Sequence, residues 1–254
     1  MRGPVRLFVG YDKREALAYH VFCQSVLEKA SVPVAFYPVH RGILSSDYQR
    51  DGTNAFTFSR YLVPLLCDLR GWALFADGDM VCQRDIAELW DLKDENIFNK
   101  AVSVVKHDYK TQHRRKYIGS LMESQNKDYP RKNWSSVMLW NCSHAANAVL
   151  TEEYVSTSEP RDLHRFSWLK DEQIGELPRW WNHLVGEDPP GEAALYHFTL
   201  GVPGIKHYAD DYASWNWHSA YIRALACAGE YPLEMTARSA NRVGEADILF
   251  KAAT

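Results

Sequence analysis

Three apolar runs, VRLFV (5–9), VPVAFYPV (32–39) and WALFA (72–76), alternate with segments of helical spacing, and this alternation limits the folds open to the chain more than any other feature. Between the first two runs, Ala16, Tyr19, Cys23, Val26, Leu27 and Ala30 recur at the period of an amphipathic helix. Asp12 followed by Glu15 reads as a capping box at its start. Between the second and third runs, TFSRYLVPLLCDL predicts another helix, bent at Pro64. Strands alternating with helices predict an α/β fold whose central sheet is mostly parallel and flanked by helices. In such sheets ligands bind beyond the carboxyl ends of the strands, which is where Gly10 and Asp77 follow the first and third runs.

Further along, AVSVV (101–105), SSVMLWNC and ALYHF (194–198) read as strands, AANAVL as a helix, and EPRDLHRFSWLKDEQ as a polar, loop-rich stretch. No repeat or low-complexity linker divides the 254 residues, so one domain is expected, with GEYPLEMTARSANRVGEADILFKAAT as a short helix and loosely held terminus. A hydrophobic content of 46% supplies a full core and excludes a disordered chain. The formal charge of −3 excludes a global positive field that would recruit nucleic acid, and leaves at most a peripheral contact with a membrane. Five cysteines without a CxxC spacing read as small buried hydrophobes in a reducing compartment. With no signal-like or membrane-length apolar run, the expected location is the cytoplasm. The nine tryptophans, among them those of RWWNHL and ASWNWH, serve either packing or a platform for sugars or bases.

At the end of the third run, ADGDM places two aspartates around a glycine. Residues i and i+2 of an extended chain point to one side, about 7 Å apart, and Gly78 is expected to bend the backbone so that Asp77 and Asp79 converge. Two adjacent carboxylates repel unless a cation lies between them, and hard oxygens suit Mn²⁺ or Mg²⁺. The plainer reading is a β-turn, for which Asp-Gly is an ordinary signal. After AVSVV, the run KHDYKTQHRRKY carries Lys106, Lys110, Arg114, Arg115 and Lys116 against Asp108. It is either a solvated face or a phosphate or acceptor contact.

Taken together, ALFADGDMVCQRDIAELWDL, FTFSRYLVPLL, VRLFVGYD and YHFTLGVPGIKHY resemble, in order, the D-x-D strand and helix, donor-binding helix, opening nucleotide loop and H-F-x-G-x-x-K motif of the retaining glycosyltransferases of family eight. The resemblance spans about residues 5 to 210. It implies a single Rossmann-like GT-A domain, with a nucleotide-sugar-binding half over 1–110, an acceptor side over 111–225 and a tail over 226–254. It also implies Asp77, Asp79 and His197 as ligands of Mn²⁺ or Mg²⁺, and Lys206 on the diphosphate of a nucleotide sugar, in the first instance a UDP-hexose. Val9, Gly10, Tyr11, Asp12 and Gly78 would line the nucleotide, and Arg60 would contact donor sugar or diphosphate.

Three segments depart from the family pattern, all on the sugar and acceptor side. NWSS puts Asn133 one position out, with Ser135 or Ser136 standing in; DEQ replaces Asp-Gln-Asp, leaving the lining role among Asp171, Glu172 and Gln173. Extra residues separate His197 from Lys206, so Gly201 and Gly204 compete for one glycine. Asp108 either orients a sugar hydroxyl or starts a turn. The acceptor would be a carbohydrate or glycoconjugate.

The chemistry suits these residue types: a divalent ion and a lysine neutralise the diphosphate as the glycosidic bond breaks. No carboxylate is placed as a nucleophile, which leans toward front-face attack. Two other functions compete. ADGDMV also resembles the D-x-D-x-[TV] motif of haloacid dehalogenase-type phosphatases, with Asp77 as nucleophile, although that motif normally opens a chain. The aromatic residues would equally suit a non-catalytic nucleotide-sugar or carbohydrate-binding module.

Overall fold

The computed structural model describes residues 3–95 and 97–227; the tail segment beyond 227 lies outside them. Strands β1 (Val5–Gly10), β2 (Val34–Val39) and β3 (Trp72–Ala76) form where the three apolar runs predict them. Next come β4 (Met80–Cys82), β5 (Val102–Val104), the short hairpin β6 (Arg115–Lys116) and β7 (Ser124–Gln125), and β8 (Val137–Asn141). The last are β9 (Ile174–Glu176), β10 (His183–Leu184) and β11 (Leu195–His197).

Six strands make the main sheet in the order β2-β1-β3-β8-β5-β9. All run parallel except β8, which is antiparallel to both β3 and β5. Because β8 is reversed, its start lies at the edge where β1, β3 and β5 end. Residues following Gly10, Ala76 and Val104 and residues preceding Val137 therefore share one edge.

Strand alternation divides the core between the two faces of this sheet. Phe8, Phe75, Val102, Met138 and Trp140 point to one face, against Phe58, Tyr61 and Phe166. Leu7, Leu74, Ala76, Val137 and Leu139 point to the other, against Phe22 and Val26 of helix α1 (Ala16–Lys29). Continuous apolar runs are what strands buried on both faces require.

The second helix departs from its expectation. Residues Ser59–Leu62 form a 3₁₀ turn that leads into a single turn, α2 (Val63–Leu66). Pro64 sits in the first turn of α2, where its missing N–H has no helical partner to lose, so it starts the helix rather than bending one. Helix α3 (Ile86–Asp91) follows β4, capped by Asp85. AANAVL is a 3₁₀ turn, Ala145–Val149, followed by α4 (Glu152–Thr157), and the stretch read as loop holds α5 (Pro160–His164). Helix α6 (Ser214–Cys227) packs Trp217 and Ala220 with Ala18 and Val21 of α1.

The ALYHF strand does not join the main sheet. As β11 it pairs antiparallel with β4 and parallel with β10, in a separate sheet of three strands. Since β4 begins one residue after Asp79, this pairing sets His197 opposite Met80 and lets the Phe198 N–H donate to the Asp79 carbonyl at 2.9 Å. Among the described residues no helix is long and apolar enough to cross a membrane.

Gly78 has a role other than the expected bend: its φ is not left-handed, and a Cβ there would lie 2.4 Å from the carbonyl oxygen of Gly10. The glycine permits the Asp77–Asp79 loop to touch the end of β1. Gly78→Ala should therefore cost about 3 kcal/mol, the upper range for overpacking, because a backbone atom cannot rotate away. Gly204→Ala, which meets only the rim of the Trp217 ring at 3.0 Å, should cost much less. Paired denaturant melts check the contrast.

Candidate active site

Asp77, Asp79 and His197 converge at the carboxyl edge, with one ligand atom of each within 4.8 Å of the others. All three are at least nine-tenths buried. Asp77 Oδ1 accepts from Arg60 Nη1 at 2.8 Å, and its backbone N–H donates to the Ser136 carbonyl. Asp79 Oδ2 accepts from the Tyr117 hydroxyl at 2.9 Å, whereas its buried Oδ1 has no hydrogen-bond partner.

The hydrogen bonds of His197 fix its tautomer. Asn182 Nδ2 donates to the Asn133 carbonyl at 3.0 Å, so Asn182 Oδ1 faces His197 Nδ1, 2.8 Å away. An amide oxygen only accepts, so Nδ1 carries the proton and, in the neutral ring, Nε2 presents a lone pair. That lone pair lies 3.3 Å from Asp79 Oδ1 and 3.9 Å from Asp77 Oδ2. A lone pair facing two carboxylates is stabilised by a cation between them, and a nitrogen with two hard oxygens fits Mn²⁺. The orphaned Asp79 Oδ1 is the observation that makes this fit specific.

Burial pushes the Asp77 carboxyl above the ordinary value despite Arg60, and the charge of Asp79 adds to the push. Burial raises Asp79 too, while the charge His197 carries when its ring is protonated, and the Tyr117 hydroxyl, pull the carboxyl below its ordinary value; with the ring neutral that charge is absent and the Tyr117 hydroxyl remains.

The expected site residues divide into those brought to this edge and those left elsewhere. Arg60 is not on a helix surface: it is 4% exposed, stacked between Phe56 and Phe75, and donates to the Ser135 carbonyl as well as to Asp77. Ser135 and Ser136 are buried framework, their carbonyls holding Arg60 and Asp77, with the Ser135 hydroxyl on His164. Asn133 has a left-handed φ of 62° and bonds Tyr109 and Thr199, besides supporting Asn182.

At the nucleotide loop, Val9 and Gly10 are buried, and the Phe56 ring fills the space a Cβ at Gly10 would take. Tyr11 is half-buried, edge-on to Tyr19. Asp12 accepts the N–H groups of Arg14 and Ala55 and the Arg14 guanidinium; these outweigh burial and hold its carboxyl low. The capping box is corrected here, because Glu15 does not reciprocate: its Oε1 is buried without a partner.

Asp171, Glu172 and Gln173 are not brought to the site. They form a 3₁₀ turn before β9, where Gln173 O accepts from the Ala101 N–H as β5 begins, and β5 and β9 are parallel. Asp171 is instead paired with Arg131 at 2.6 Å. Asp108 is exposed. Of the two competing glycines, Gly201 is the constrained one, with φ 149° and the Tyr208 ring 2.3 Å from a Cβ; Gly204 is exposed. Lys206 stands exposed on a 3₁₀ turn, Lys206–Tyr208.

Two residues absent from the sequence-based site hold its ligand atoms, Tyr117 on Asp79 and Asn182 on His197, and Lys116 lies next to Tyr117. Lys116, in the basic run, is half-buried, its Nζ 5.3 Å from the Tyr117 ring centroid. Burial lowers its pKa although Asp79 and Asp77 oppose the shift. Asn182, between Trp181 and His183 in RWWNHL, is fully buried.

Comparison with known proteins gives these residues a setting. The model of the family described as glycosyl transferase family 8 matches residues 8–175. Protein CDI of Arabidopsis thaliana is 40% identical over 223 residues, 82% of each chain. Among solved structures, the galactosyltransferase LgtC in complex with donor and acceptor sugar analogs superposes with a TM-score of 0.53 at 12% identity, covering 91% of this chain and 98% of that one. The bifunctional glycosyltransferase WbbM does so at 0.55 and 13%, covering 87% of this chain and 52% of that one, so this chain spans about half of WbbM. These two likenesses establish the GT-A architecture of the fold.

A buried histidine, His107, and a half-buried one, His164, give the site region a pH signature. Burial pushes His107 down to about 4 and His164 to about 3 from 6.5, so both are neutral when folded. The unfolded chain protonates these rings near pH 6.5 and the folded chain does not, so their stability is complete above that value and is lost toward pH 4. The melting temperature should fall between pH 6.5 and about 5, before most carboxylates titrate, and His107→Phe should make the fall shallower. Thermal melts across that range test it.

Proposed function

The chain belongs to glycosyl transferase family 8 and is a glycosyltransferase, and from this we propose that it moves a hexose from a UDP-sugar to a carbohydrate acceptor, with retention, at a divalent-metal site made by Asp77, Asp79 and His197. The observation that carries the reading is the His197 lone pair directed at two buried carboxylates, one of which has an unpartnered oxygen. Mn²⁺ bound there would neutralise the diphosphate leaving group. Arg60 orients Asp77, Tyr117 orients Asp79, and Asn182 orients His197, so each ligand is held by a hydrogen bond before anything binds.

Tyr11, half-buried at the end of β1, offers a face for the base. Lys116, beside the Tyr117 ring, and Lys206, from the far loop, supply positive charge for the diphosphate. In the reaction the bond from the anomeric carbon to the diphosphate oxygen breaks and one to the acceptor oxygen forms, the acceptor proton passing to the departing phosphate. Asp77 and Asp79 are held as metal ligands and Asp12 is occupied by Arg14 and Ala55, so none of them is free as a nucleophile, which favours attack from the same face. The match to glycosyl transferase family 8 over residues 8–175 is what speaks against the phosphatase reading.

Asp79→Asn should lower Mn²⁺-stimulated hydrolysis of UDP-hexoses by about 100-fold or more; undiminished activity sinks the metal role. Running the assay with other nucleotide sugars separates the choice of base from the chemistry. Asn182→Ala frees the His197 ring and should weaken Mn²⁺ binding about 10- to 100-fold, read by calorimetry with the metal alone.

A further inference from the structure

The two tryptophans of ASWNWH have different fates. Trp217 is buried, stacked on Tyr221 with ring centroids 5.5 Å apart, and packs α6 onto α1. Trp215, two residues earlier, is 45% exposed, and among the described residues no other ring or cation stacks on it. It lines a 540 Å³ groove between the polar faces of the two helices. Trp215, Ser219 and Arg223 recur at i, i+4 and i+8 along α6, and Gln24 and Glu28 at i and i+4 along α1, so each helix presents one stripe to the groove. These polar groups already hold one another. Glu28 Oε1 accepts from Gln24 Nε2 at 3.0 Å and Oε2 from Arg223 Nε at 2.7 Å, while Arg223 Nη1 donates to the Ser219 hydroxyl. Gln83, just after β4, and Asn216 add two side-chain amides to the lining.

An open indole face beside planar polar groups suits a sugar ring. The C–H face of a pyranose stacks on the aromatic face, amides donate and accept as hydroxyls do, and a guanidinium whose orientation is fixed offers its remaining donors in one plane. The lining carries a net charge of only +1, Glu28 against Lys29 and Arg223, and Glu28 already holds Arg223, so an uncharged ligand fits better than an anion. A nucleotide base would stack on the indole too, but its phosphates would meet Glu28. The groove is also remote from the metal cluster. The Gln83 N–H donates to the Ala194 carbonyl just before β11, at the end of the small sheet opposite His197. We propose that this groove is a second carbohydrate site, which binds a neutral oligosaccharide by stacking on Trp215 and hydrogen bonding to Gln83, Asn216 and Arg223, and holds a glycan away from the centre where transfer occurs. The groove is read from its own lining; only its use as an anchor for the acceptor rests on the function proposed above.

The test uses the full chain with maltotriose, cellotriose and triacetylchitotriose as neutral probes, followed by saturation-transfer NMR and calorimetry without metal or nucleotide. At least one probe should bind saturably in the millimolar range, and Trp215→Ala should weaken that binding about tenfold. Trp215→Phe keeps a smaller ring and should fall between, and Gln83→Ala should weaken binding several-fold; these two carry the test if the alanine variant folds poorly. Asp79→Asn should bind the probe as the native chain does, and Trp215→Ala should hydrolyse UDP-hexoses at the native rate. Failure of all three probes to bind overturns the proposal, as does a Trp215→Ala affinity within twofold of native. Competition of the bound probe by UDP with Mn²⁺ also overturns it, by assigning the sugar to the catalytic cleft. Probe binding by a native chain that hydrolyses no nucleotide sugar upholds the groove and sinks the transferase reading instead.

Discussion

The pairing of β4 with β11 is the constraint on which the site depends. Asp77 and Asp79 lie between β3 and β4, more than a hundred residues before His197, and nothing local could bring them together. The antiparallel register fixes His197 against Met80, and the Phe198 N–H closes on the Asp79 carbonyl. Side-chain geometry then follows from backbone hydrogen bonds, which is why the three ligand atoms can be within 4.8 Å before any ion arrives. Displacing β11 by one residue would turn His197 to the opposite face.

Around that pairing, each ligand is aimed by a different kind of partner. A guanidinium holds Asp77, a phenol holds Asp79 and a carboxamide holds His197. The carboxamide is itself held by the Asn133 carbonyl, at a residue whose left-handed backbone places that carbonyl at the edge where β8 begins. Residues from the second half of the chain thus hold the Asp77, Asp79 and His197 cluster by hydrogen bonding, and Asn133, Ser135 and Ser136 take part in that framework.

How much of this was legible in the sequence depends on the range over which each feature is encoded. The three opening strands and α1 are visible because period and burial coincide over five or more residues. Asp77 and Asp79 are visible because a strand must end where charge begins, and His197 because its motif lies in order with three others. The roles of Tyr117 and Asn182 are set only by tertiary contact, in segments whose composition suggests a basic loop and an aromatic cluster. The DEQ turn illustrates the reverse: an acidic composition suited a site, but a turn that precedes β9 sits at the wrong end of a parallel pair. Pro64 misled for a similar reason, since its effect depends on whether it falls at the start or the middle of a helical turn.

The contact between Gly78 and the Gly10 carbonyl has a mechanical consequence. The loop that carries the two aspartates and the loop that ends β1 touch backbone to backbone, with no side chain between them to act as a bearing. On the opposite side, the turn of the β6–β7 hairpin bonds Asp79 through the Tyr117 hydroxyl and the segment after β11 through the Tyr117 and Ile118 N–H groups. A side-chain substitution at Tyr117 therefore removes the hairpin's bond to Asp79, whereas no side-chain truncation can part the two loops.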